Sequence, residues 1–272
     1  MMMGRRFDVG NVTLNIGEAG EGSPLLLFLH GITANRGVWD PVIRILSKDF
    51  RCVALDQRGH GESDKPSSGY SDNDYSDDIA GLVEELSPNS AVYLVGHSLG
   101  ARNAIVAGFR FPHLIKGVVA LDFVPFIEPE VFDALERRVI AGSQEFSTVE
   151  GVRDYLQDRY PNLPHDAIGR RVEFGYIRGA SGAYTPRASA GAMEETVKGL
   201  RADLETPLRN LAIPAVIVRG ENSLLVSEKA FEKAKVLNHN VSNATVAGAD
   251  HYIPEEAPEA VAEIVLSLIN NK

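Results

Sequence analysis

A tight strand-to-helix turn around Ser98 narrows the possible folds of this chain more than any other part of its sequence. The stretch VYLVGHSLGARNAIVAGF, residues 92–109, runs from an apolar, β-branched segment through G-x-S-x-G into a helix-forming segment of small residues. Such a turn forces its serine into a strained backbone conformation, so the positions of Gly96 and Gly100 must lack side chains. The serine oxygen then stands at a helix N-terminus above the carboxyl end of a sheet, which predicts a nucleophile.

Short apolar segments alternate with amphipathic helical patterns along most of the chain. We predict strands at 12–16, 25–30, 51–56, 91–96, 115–122, 215–220 and 244–248, and helices at 74–86, 98–111, 227–237 and 258–270. This alternation predicts βαβ units in a mainly parallel, twisted sheet with helices on both faces. Between about Pro125 and Thr206, helical patterns run on without a convincing strand. We therefore predict one core, formed by 1–125 and 206–272, with a helical cap inserted at 126–205.

Composition limits the partners and the compartment that we expect. The 272 residues carry a formal net charge of −10, which disfavours nucleic acid and anionic membranes as partners. The N-terminal segment lacks the apolar run of a secretory signal, and no apolar run is long enough to span a bilayer. A lone Cys52 excludes an internal disulfide and a multi-cysteine metal site, and it fits a reducing cytoplasm. We expect a monomer or homodimer that needs no cofactor and no metal.

Two further segments supply the groups that a serine nucleophile needs. After a buried strand, His30 and Gly31 lead into a loop that would present the Ile32 amide, and with the Leu99 amide it would form an oxyanion hole. On their own, His30 and Gly31 would only shape a turn. His251 lies between the last predicted strand and the final helix, a position from which a histidine can act as the base. None of the other six histidines is comparably placed.

Three carboxylates compete to orient the ring of His251. Asp250 adjoins it in sequence, so its side chain would have to fold back onto the neighbouring ring. Glu221 follows the strand after the cap, where such an acid is usual, but the position expected for an aspartate holds Ser223. Asp122 ends the strand that follows the nucleophile helix. Neighbouring strand tips are only about 5 Å apart, so either strand can reach one histidine. We favour Asp122 over Glu221.

Four motifs together resemble the α/β-hydrolase fold family: HGITAN at 30–35, DQRGHGESDKP at 56–66, GHSLG at 96–100 and GADHY at 248–252. The resemblance covers nearly the whole chain and puts 125–205 in the position of the family's variable cap. More narrowly, GHSLGARN and RYPN look like the (E)-2-(acetamidomethylene)succinate hydrolases of bacterial vitamin B6 degradation. That resemblance implies hydrolysis of the amide of a small dicarboxylate, giving acetate and an enamine that breaks down to ammonia, carbon dioxide and succinic semialdehyde. It also implies an acid from the strand of Asp122.

The predicted cap is rich in arginine. Residues 137–187 contain no lysine but eight arginines: Arg137, Arg138, Arg153, Arg159, Arg170, Arg171, Arg178 and Arg187. Arginine binds carboxylates with two parallel hydrogen bonds and keeps its charge when partly buried, which suits a carboxylated substrate. The acidic residues interleaved with these arginines fit a solvated helix surface equally well. The narrower resemblance implies that the substrate contacts Arg138, Arg159, Tyr160, Arg171 and Tyr252.

The sequence thus predicts a serine hydrolase that works without a cofactor on a small carboxylated substrate. Ser98 attacks a carbonyl, His251 takes the proton and later passes it to the leaving group, and water cleaves the acyl-enzyme. A carboxylesterase, an enol-lactonase or a carbon–carbon bond hydrolase acting on another small carboxylated metabolite is the alternative within this class. A ligand receptor that keeps the fold without turnover is the alternative from a different class.

Overall fold

The computed structural model describes residues 3–270, and a mainly parallel sheet forms its centre. In chain order the strands are β1 (Met3–Asp8), β2 (Thr13–Ala19), β3 (Leu25–Leu29), β4 (Arg51–Asp56), β5 (Val92–His97), β6 (Ile115–Leu121), β7 (Tyr176–Arg178), β8 (Tyr184–Pro186), β9 (Ala215–Gly220) and β10 (Val241–Val246). Eight of them form one sheet in the order β1-β2-β4-β3-β5-β6-β9-β10. In this sheet β1 pairs antiparallel with β2, and β2 pairs antiparallel with β4. The remaining six strands, in the spatial order β4-β3-β5-β6-β9-β10, are parallel to one another.

Helices cover both faces of this sheet. They are α1 (Asp40–Leu46), α2 (Asp72–Leu86), α3 (Leu99–Arg110), α4 (Pro129–Ile140), α5 (Val149–Arg159), α6 (His165–Gly175), α7 (Ala190–Gly199), α8 (Glu205–Arg209), α9 (Glu228–Lys235), α10 (Ile253–Glu256) and α11 (Pro258–Asn270). Apolar side chains of α2 and α3 join the core on one face, and those of α1 and α11 join it on the other. Every residue of β3 is buried because the central strands are covered on both sides.

The segment between β6 and β9 contains α4 to α8 and lies partly outside the main core. Helices α4 and α7 pack on each other, and Val139 and Met193 from them belong to the main apolar cluster. Helices α5 and α6 instead share a small cluster of their own, which includes Leu156 and Ile168. The region predicted as the cap, 126–205, therefore contains α4 to α7 in two differently anchored halves.

The structure also contains elements that the sequence pattern does not predict. Within the cap, β7 and β8 pair as an antiparallel hairpin, with Gly182 at a φ of 86° in the turn between them. Each strand has three residues, which is too short for apolar alternation to show. Strand β1 lies at the edge of the sheet with mostly exposed side chains, so it lacks an apolar run. Strand β10 begins three residues before the strand predicted at 244–248. The prediction misses this start because Ser242 and Asn243 are exposed and polar and give no apolar run.

Within residues 3–270, no helix combines the length and the apolar character needed to cross a membrane. The same residues contain no group of three or more histidine, cysteine, aspartate and glutamate side chains placed to hold a metal ion. Cys52 is free and buried in β4.

Candidate active site

Ser98 lies between β5 and α3 in a backbone conformation that side-chain-bearing residues rarely adopt, with φ 54° and ψ −116°. Its amide donates to the Leu121 carbonyl at 2.8 Å, so the neighbouring strand holds the turn in place. A Cβ on Gly96 would lie 2.2 Å from the Gly100 carbonyl oxygen, and one on Gly100 would lie 2.1 Å from that of Leu29. Both positions therefore require glycine, and the strained turn expected from the pentapeptide is present.

His251 and Asp122 meet at the carboxyl end of the sheet. His251 Nδ1 lies 2.7 Å from Asp122 Oδ2, and Asp122 is fully buried just after β6. The Gly220 amide donates to Asp122 Oδ1 at 2.9 Å, and the Ser223 hydroxyl donates to Oδ2 at 2.5 Å. An ionised carboxylate only accepts hydrogen bonds, so it holds the proton of the histidine on Nδ1. The Nε2 atom of His251 is then the nitrogen that can take a proton from a nucleophile.

The other two carboxylates considered for this position have different partners. Glu221 is exposed, and its Oε2 accepts a hydrogen bond from the Gly248 amide at 2.8 Å. Asp250 accepts from the Tyr252 amide at 2.9 Å and lies 3.4 Å from the side-chain nitrogen of Asn162. Among the described residues, Asp122 is the carboxylate that the His251 ring contacts.

His97, in a variable position of the pentapeptide, fixes the backbone of His251. Its Nε2 donates to the His251 carbonyl at 2.6 Å, and the two rings are 4.8 Å apart. Burial, and then the charge of His251, lower the pKa of His97 well below its ordinary value, so it stays neutral. The turn around Ser98 and the loop of His251 are thereby joined directly. The sequence analysis missed this role, because a histidine in a variable motif position carries no signal of its partner.

The loop after β3 runs directly against the nucleophile. A Cβ on Gly31 would lie 3.2 Å from Ser98 Cβ, so this glycine permits the close approach. Ile32 follows it and lines the same cavity as Ser98. The amides of Ile32 and Leu99 donate to no acceptor within residues 3–270. Two unpaired amides beside the serine fit the predicted oxyanion hole.

Two buried histidines support this loop. The Thr33 amide donates to His60 Nε2 at 3.3 Å, and the Gln57 amide donates to His30 Nε2 at 3.1 Å. Burial lowers the pKa of His60 to about 3 and that of His30 to about 4. Both rings are therefore neutral acceptors that hold the loop and are not placed as bases.

A cavity of about 370 Å³ lies between the core and the cap, and it contains every predicted site residue except the buried Asp122 and Leu99. Ser98, His251 and Ile32 lie on the core side. The five residues for which the resemblance implies substrate contacts also line it: Arg138, Arg159, Tyr160, Arg171 and Tyr252. The structure thus brings the predicted chemistry and the predicted recognition residues into one space.

Two arginines at this cavity, Arg138 and Arg159, donate hydrogen bonds to each other's backbone carbonyls. Arg138 Nη2 donates to the Arg159 carbonyl at 2.8 Å, and Arg159 Nη2 donates to the Arg138 carbonyl at 2.7 Å. Arg159 also donates to the hydroxyl of Tyr155 at 3.0 Å. Neither guanidinium is paired with a carboxylate within residues 3–270. Their positive charges therefore stay available to an anionic ligand.

Arg171 differs because it already has a carboxylate partner. Its Nε lies 3.1 Å from each oxygen of Glu255, and both side chains are buried. Its guanidinium carbon lies 4.3 Å from the centre of the Tyr160 ring and 5.2 Å from that of Tyr252. Arg171 therefore helps to position these two aromatic rings. The predicted contact with a substrate would have to use the N–H groups of Arg171 that do not bond Glu255, and it stays a prediction.

The arginines also change the chemistry of Tyr160. Burial opposes ionisation of this phenol, but the charges of Arg171, Arg159 and Arg138 together lower its pKa below the ordinary value. A site that stabilises a phenolate would stabilise a carboxylate in the same way. This part of the cavity is therefore electropositive, although the chain as a whole is acidic.

Three features are typical of one class of hydrolases: a strained serine after a parallel strand, a histidine after the last strand and an inserted cap. The chain belongs to the α/β hydrolase fold family, whose model matches residues 24–258. It is 50% identical over 266 residues to 2-(acetamidomethylene)succinate hydrolase of Mesorhizobium japonicum, covering 98% of this chain and 95% of that protein. A crystal structure of E-2-(acetamidomethylene)succinate hydrolase matches it with a TM-score of 0.96 at 48% identity, covering 99% of this chain and 100% of that one.

A more distant relative is named as an esterase. The esterase Rv0045c of Mycobacterium tuberculosis is 28% identical over 260 residues, covering 93% of this chain and 85% of that protein. The chain is thus a hydrolase by family, and its identity to the first relative is far higher than its identity to this esterase.

Proposed function

We propose that this hydrolase cleaves the amide of a small dicarboxylate, (E)-2-(acetamidomethylene)succinate or a close analogue. The products are acetate, ammonia, carbon dioxide and succinic semialdehyde. One observation carries the proposal: Ser98 and His251 line the same cavity as Arg138 and Arg159, two arginines without a carboxylate partner among the described residues. Over 98% of its length, the chain is 50% identical to a relative named 2-(acetamidomethylene)succinate hydrolase.

The proposed reaction begins with attack of the Ser98 oxygen on the acetyl carbonyl carbon. His251 Nε2 takes the serine proton, and Asp122 stabilises the imidazolium that forms. The Ile32 and Leu99 amides donate to the oxygen that becomes negative. The imidazolium then protonates the amide nitrogen, the carbon–nitrogen bond breaks, and the acetyl group stays on Ser98.

Water completes the proposed cycle. His251 takes a proton from a water molecule as it attacks the acetyl-serine, which releases acetate and restores Ser98. The leaving group is an enamine that carries both carboxylates. Water hydrolyses it to ammonia and an aldehyde. The carboxyl group on the carbon next to the aldehyde is then lost as carbon dioxide, that carbon takes up a proton, and succinic semialdehyde remains.

The residues proposed to contact the substrate would suit a dicarboxylate. Arg138 and Arg159 supply charge without an internal partner, and a guanidinium can bind a carboxylate through two hydrogen bonds. Tyr160, Arg171 and Tyr252 form the adjoining wall. A cavity of about 370 Å³ is in the range that encloses small metabolites.

The remaining parts of the proposal concern the setting of the enzyme. We place it in the cytoplasm, as a monomer or homodimer with no nucleic-acid or membrane partner. The supporting observations are the net charge of −10 and the single, buried Cys52.

A substrate panel tests the proposed function. Purified protein is assayed with (E)-2-(acetamidomethylene)succinate, with an analogue that lacks one carboxylate, with p-nitrophenyl acetate and with a small enol-lactone. We expect the dicarboxylate amide to have the highest kcat/KM and to yield equal amounts of acetate and succinic semialdehyde. Ser98→Ala should remove turnover. Faster cleavage of the ester or the lactone would contradict the proposal and favour the alternative activities.

Matched arginine variants test the recognition part of the proposal. Arg138→Ala and Arg159→Ala should raise KM for the dicarboxylate and leave the rate with the uncharged ester nearly unchanged. Arg153→Ala is the control, because Arg153 lies on the same cap, is exposed and does not line the cavity. An equal effect of all three changes would show that the arginines act only through general surface charge.

A further inference from the structure

The wall that α4 gives to the catalytic cavity changes in character along the helix. Five residues of α4 line the cavity: Val131, Ala134, Leu135, Arg138 and Val139. Their spacing of three or four residues puts them on one face of the helix. The positions of Val131 and Arg138 are about 10 Å apart along the axis, at the usual rise per residue of an α-helix. The N-terminal half of α4 therefore presents apolar side chains to the cavity, and Arg138 near its end presents a charge.

The loop after β9 adds two more apolar residues to this wall. Leu224 and Leu225 line the same cavity, and the side chain of Leu224 is 91% exposed. The Asn222 amide donates to the Ala249 carbonyl at 2.9 Å, which holds this loop beside the segment of His251. The cavity therefore has apolar groups close to the base, in addition to the arginines of the cap.

An acetyl group leaves most of the apolar wall uncovered. In the proposed reaction the acyl carbon is bound to Ser98, and the carboxylates of the leaving group contact Arg138 and Arg159. The acyl group lies on the other side of the bond that breaks, so an acyl chain extends away from the arginines. An acetyl group has one methyl group beyond its carbonyl carbon, which covers little of a cavity of about 370 Å³. Covering the remaining apolar surface with an apolar group is favourable.

We propose that Val131, Leu135, Leu224 and Leu225 form a subsite for an aliphatic acyl chain, so that the enzyme also cleaves linear acyl groups such as butanoyl and hexanoyl. This inference deepens the proposed function by extending its acyl group, and it rests on the role of Ser98 as the nucleophile. The four residues are called the acyl subsite below. The carboxylates of the leaving group keep their place at the arginines.

The bonds that form and break are the same for every chain length. The Ser98 oxygen bonds to the acyl carbon, the bond from that carbon to the leaving oxygen or nitrogen breaks, and His251 passes the serine proton to the leaving atom. Water then adds to the acyl-serine, which releases the carboxylic acid and restores Ser98. Only the binding of the chain differs, and each methylene that the acyl subsite covers should raise kcat/KM by up to about fourfold.

A series of p-nitrophenyl esters with acetyl, butanoyl and hexanoyl groups tests the acyl subsite. The kcat/KM of each ester is divided by the rate at which hydroxide hydrolyses it, which removes differences in intrinsic reactivity. Butanoate should exceed acetate by roughly 5- to 15-fold, because two more methylenes are covered. Hexanoate should at least equal butanoate. If acetate has the highest value, the inference is overturned.

Two variants of the cavity wall locate the effect. Leu224→Asn should lower the ratio of butanoate to acetate by roughly threefold, because it replaces an apolar contact by a polar one. Val236→Asn is its control, since Val236 is 82% exposed and is not among the residues that line the cavity. Ala134→Phe, at an exposed position of α4 beside the acyl subsite, should lower the ratio of hexanoate to acetate by taking up the space of the chain. Ala141→Phe is exposed after the same helix, away from the cavity lining, and should leave that ratio unchanged.

Unchanged ratios in both Leu224→Asn and Ala134→Phe would also overturn the inference, whatever the wild-type series shows. A second pair of substrates separates it from the proposed function: (E)-2-(acetamidomethylene)succinate and its butanamido homologue. We expect the homologue to be cleaved with a kcat/KM at least equal to that of the acetamido compound. Turnover of the acetamido compound with rejection of the homologue would refute the acyl subsite alone. An ester series that rises with chain length, without turnover of either amide, would refute the proposed function alone.

Discussion

At the scale of single residues, the site depends on one buried carboxylate. Asp122 has no exposed surface, and its donors come from β9, from the loop after β9 and from the loop of His251. Burying a polar group is costly unless it is hydrogen-bonded, so these donors compensate for the burial of the carboxyl group and fix its orientation. The carboxylate in contact with the His251 ring therefore comes from the tip of β6, while the tip of β9 supplies a donor to it.

Exchanging the two candidate acids for their amides tests this assignment. Asp122→Asn should lower kcat by about 10⁴-fold, because an amide cannot stabilise the imidazolium and favours the wrong tautomer of His251. Glu221→Gln should change kcat by less than about threefold, since Glu221 is exposed and bonded to the Gly248 amide. Steady-state kinetics of both variants provide the measurement. A large loss for Glu221→Gln with little loss for Asp122→Asn would refute the assignment.

The sequence predicts which residues can meet at this site better than it predicts what supports them. Ser98, Asp122 and His251 each follow a strand whose apolar run is readable, and the ends of parallel strands share one edge of the sheet. Ser223 and His97 have no such signal. Their roles depend on the atom that lies within reach, Asp122 Oδ2 in one case and the His251 carbonyl in the other.

At the scale of secondary-structure elements, a buried ion pair ties the cap to the loop of the base. Arg171 belongs to α6 in the cap, and Glu255 belongs to α10, which begins two residues after His251. The Asn162 side chain adds a second link, to Asp250 beside the base. Helix α6 therefore contacts the loop that carries His251 and contributes Arg171 to the wall of the cavity beside Ser98.

Removing one partner of this pair should be costly. Glu255→Leu leaves the buried guanidinium of Arg171 without its carboxylate, and we expect a loss of about 3–5 kcal/mol in the free energy of unfolding. Urea denaturation followed by circular dichroism gives the value. Glu205→Ala is the control, because it breaks the exposed pair with Arg209 and should cost about 0–1 kcal/mol. Equal losses for the two variants would contradict the proposed link.

Short elements limit what the sequence can predict at this scale. The predicted bounds of the long amphipathic helices α2, α3 and α11 agree with the observed ones to within about two residues. These helices have several turns, so their apolar face repeats often enough to be recognised in the sequence. The hairpin of β7 and β8 has three residues in each strand, and α10 has four residues. Such elements are set by tertiary contacts, so periodicity cannot reveal them.

At the scale of the whole molecule, charge is distributed unevenly. The chain has a net charge of −10, yet the cavity wall contains Arg138 and Arg159 without internal carboxylate partners. Three neutral histidines, His30, His60 and His97, are buried in the core. The positive wall favours an anionic substrate, whereas the buried histidines make the fold sensitive to acid.

The pH dependence of stability follows from these histidines. Burial lowers the pKa of His30 to about 4, that of His60 to about 3 and that of His97 well below 6.5. Their contribution to stability is present above the unfolded value of 6.5 and is lost as the pH falls towards the folded values. Burial, and then hydrogen bonding with Asp250, raise the pKa of Glu256 from 4.5 to about 8, which has the opposite effect over that range.

Near pH 5, three histidines take up protons on unfolding while Glu256 releases one, so these groups give a net uptake of about two protons. The free energy of unfolding should therefore fall between pH 6.5 and pH 5, which urea titrations at several pH values can measure. His113→Gln is the control and should leave that slope unchanged, because His113 is exposed. A flat or rising profile on acidification would contradict this prediction.

The most direct test of the proposed reaction is a crystal structure of Ser98→Ala soaked with (E)-2-(acetamidomethylene)succinate. We predict that the acetyl carbonyl oxygen lies about 3 Å from the Ile32 and Leu99 amides, with the carboxylates against Arg138 and Arg159. The acetyl carbon would then face position 98. A bound ligand with a carboxylate in the oxyanion position and its acetyl group towards the cap arginines would contradict both the proposed reaction and the proposed recognition.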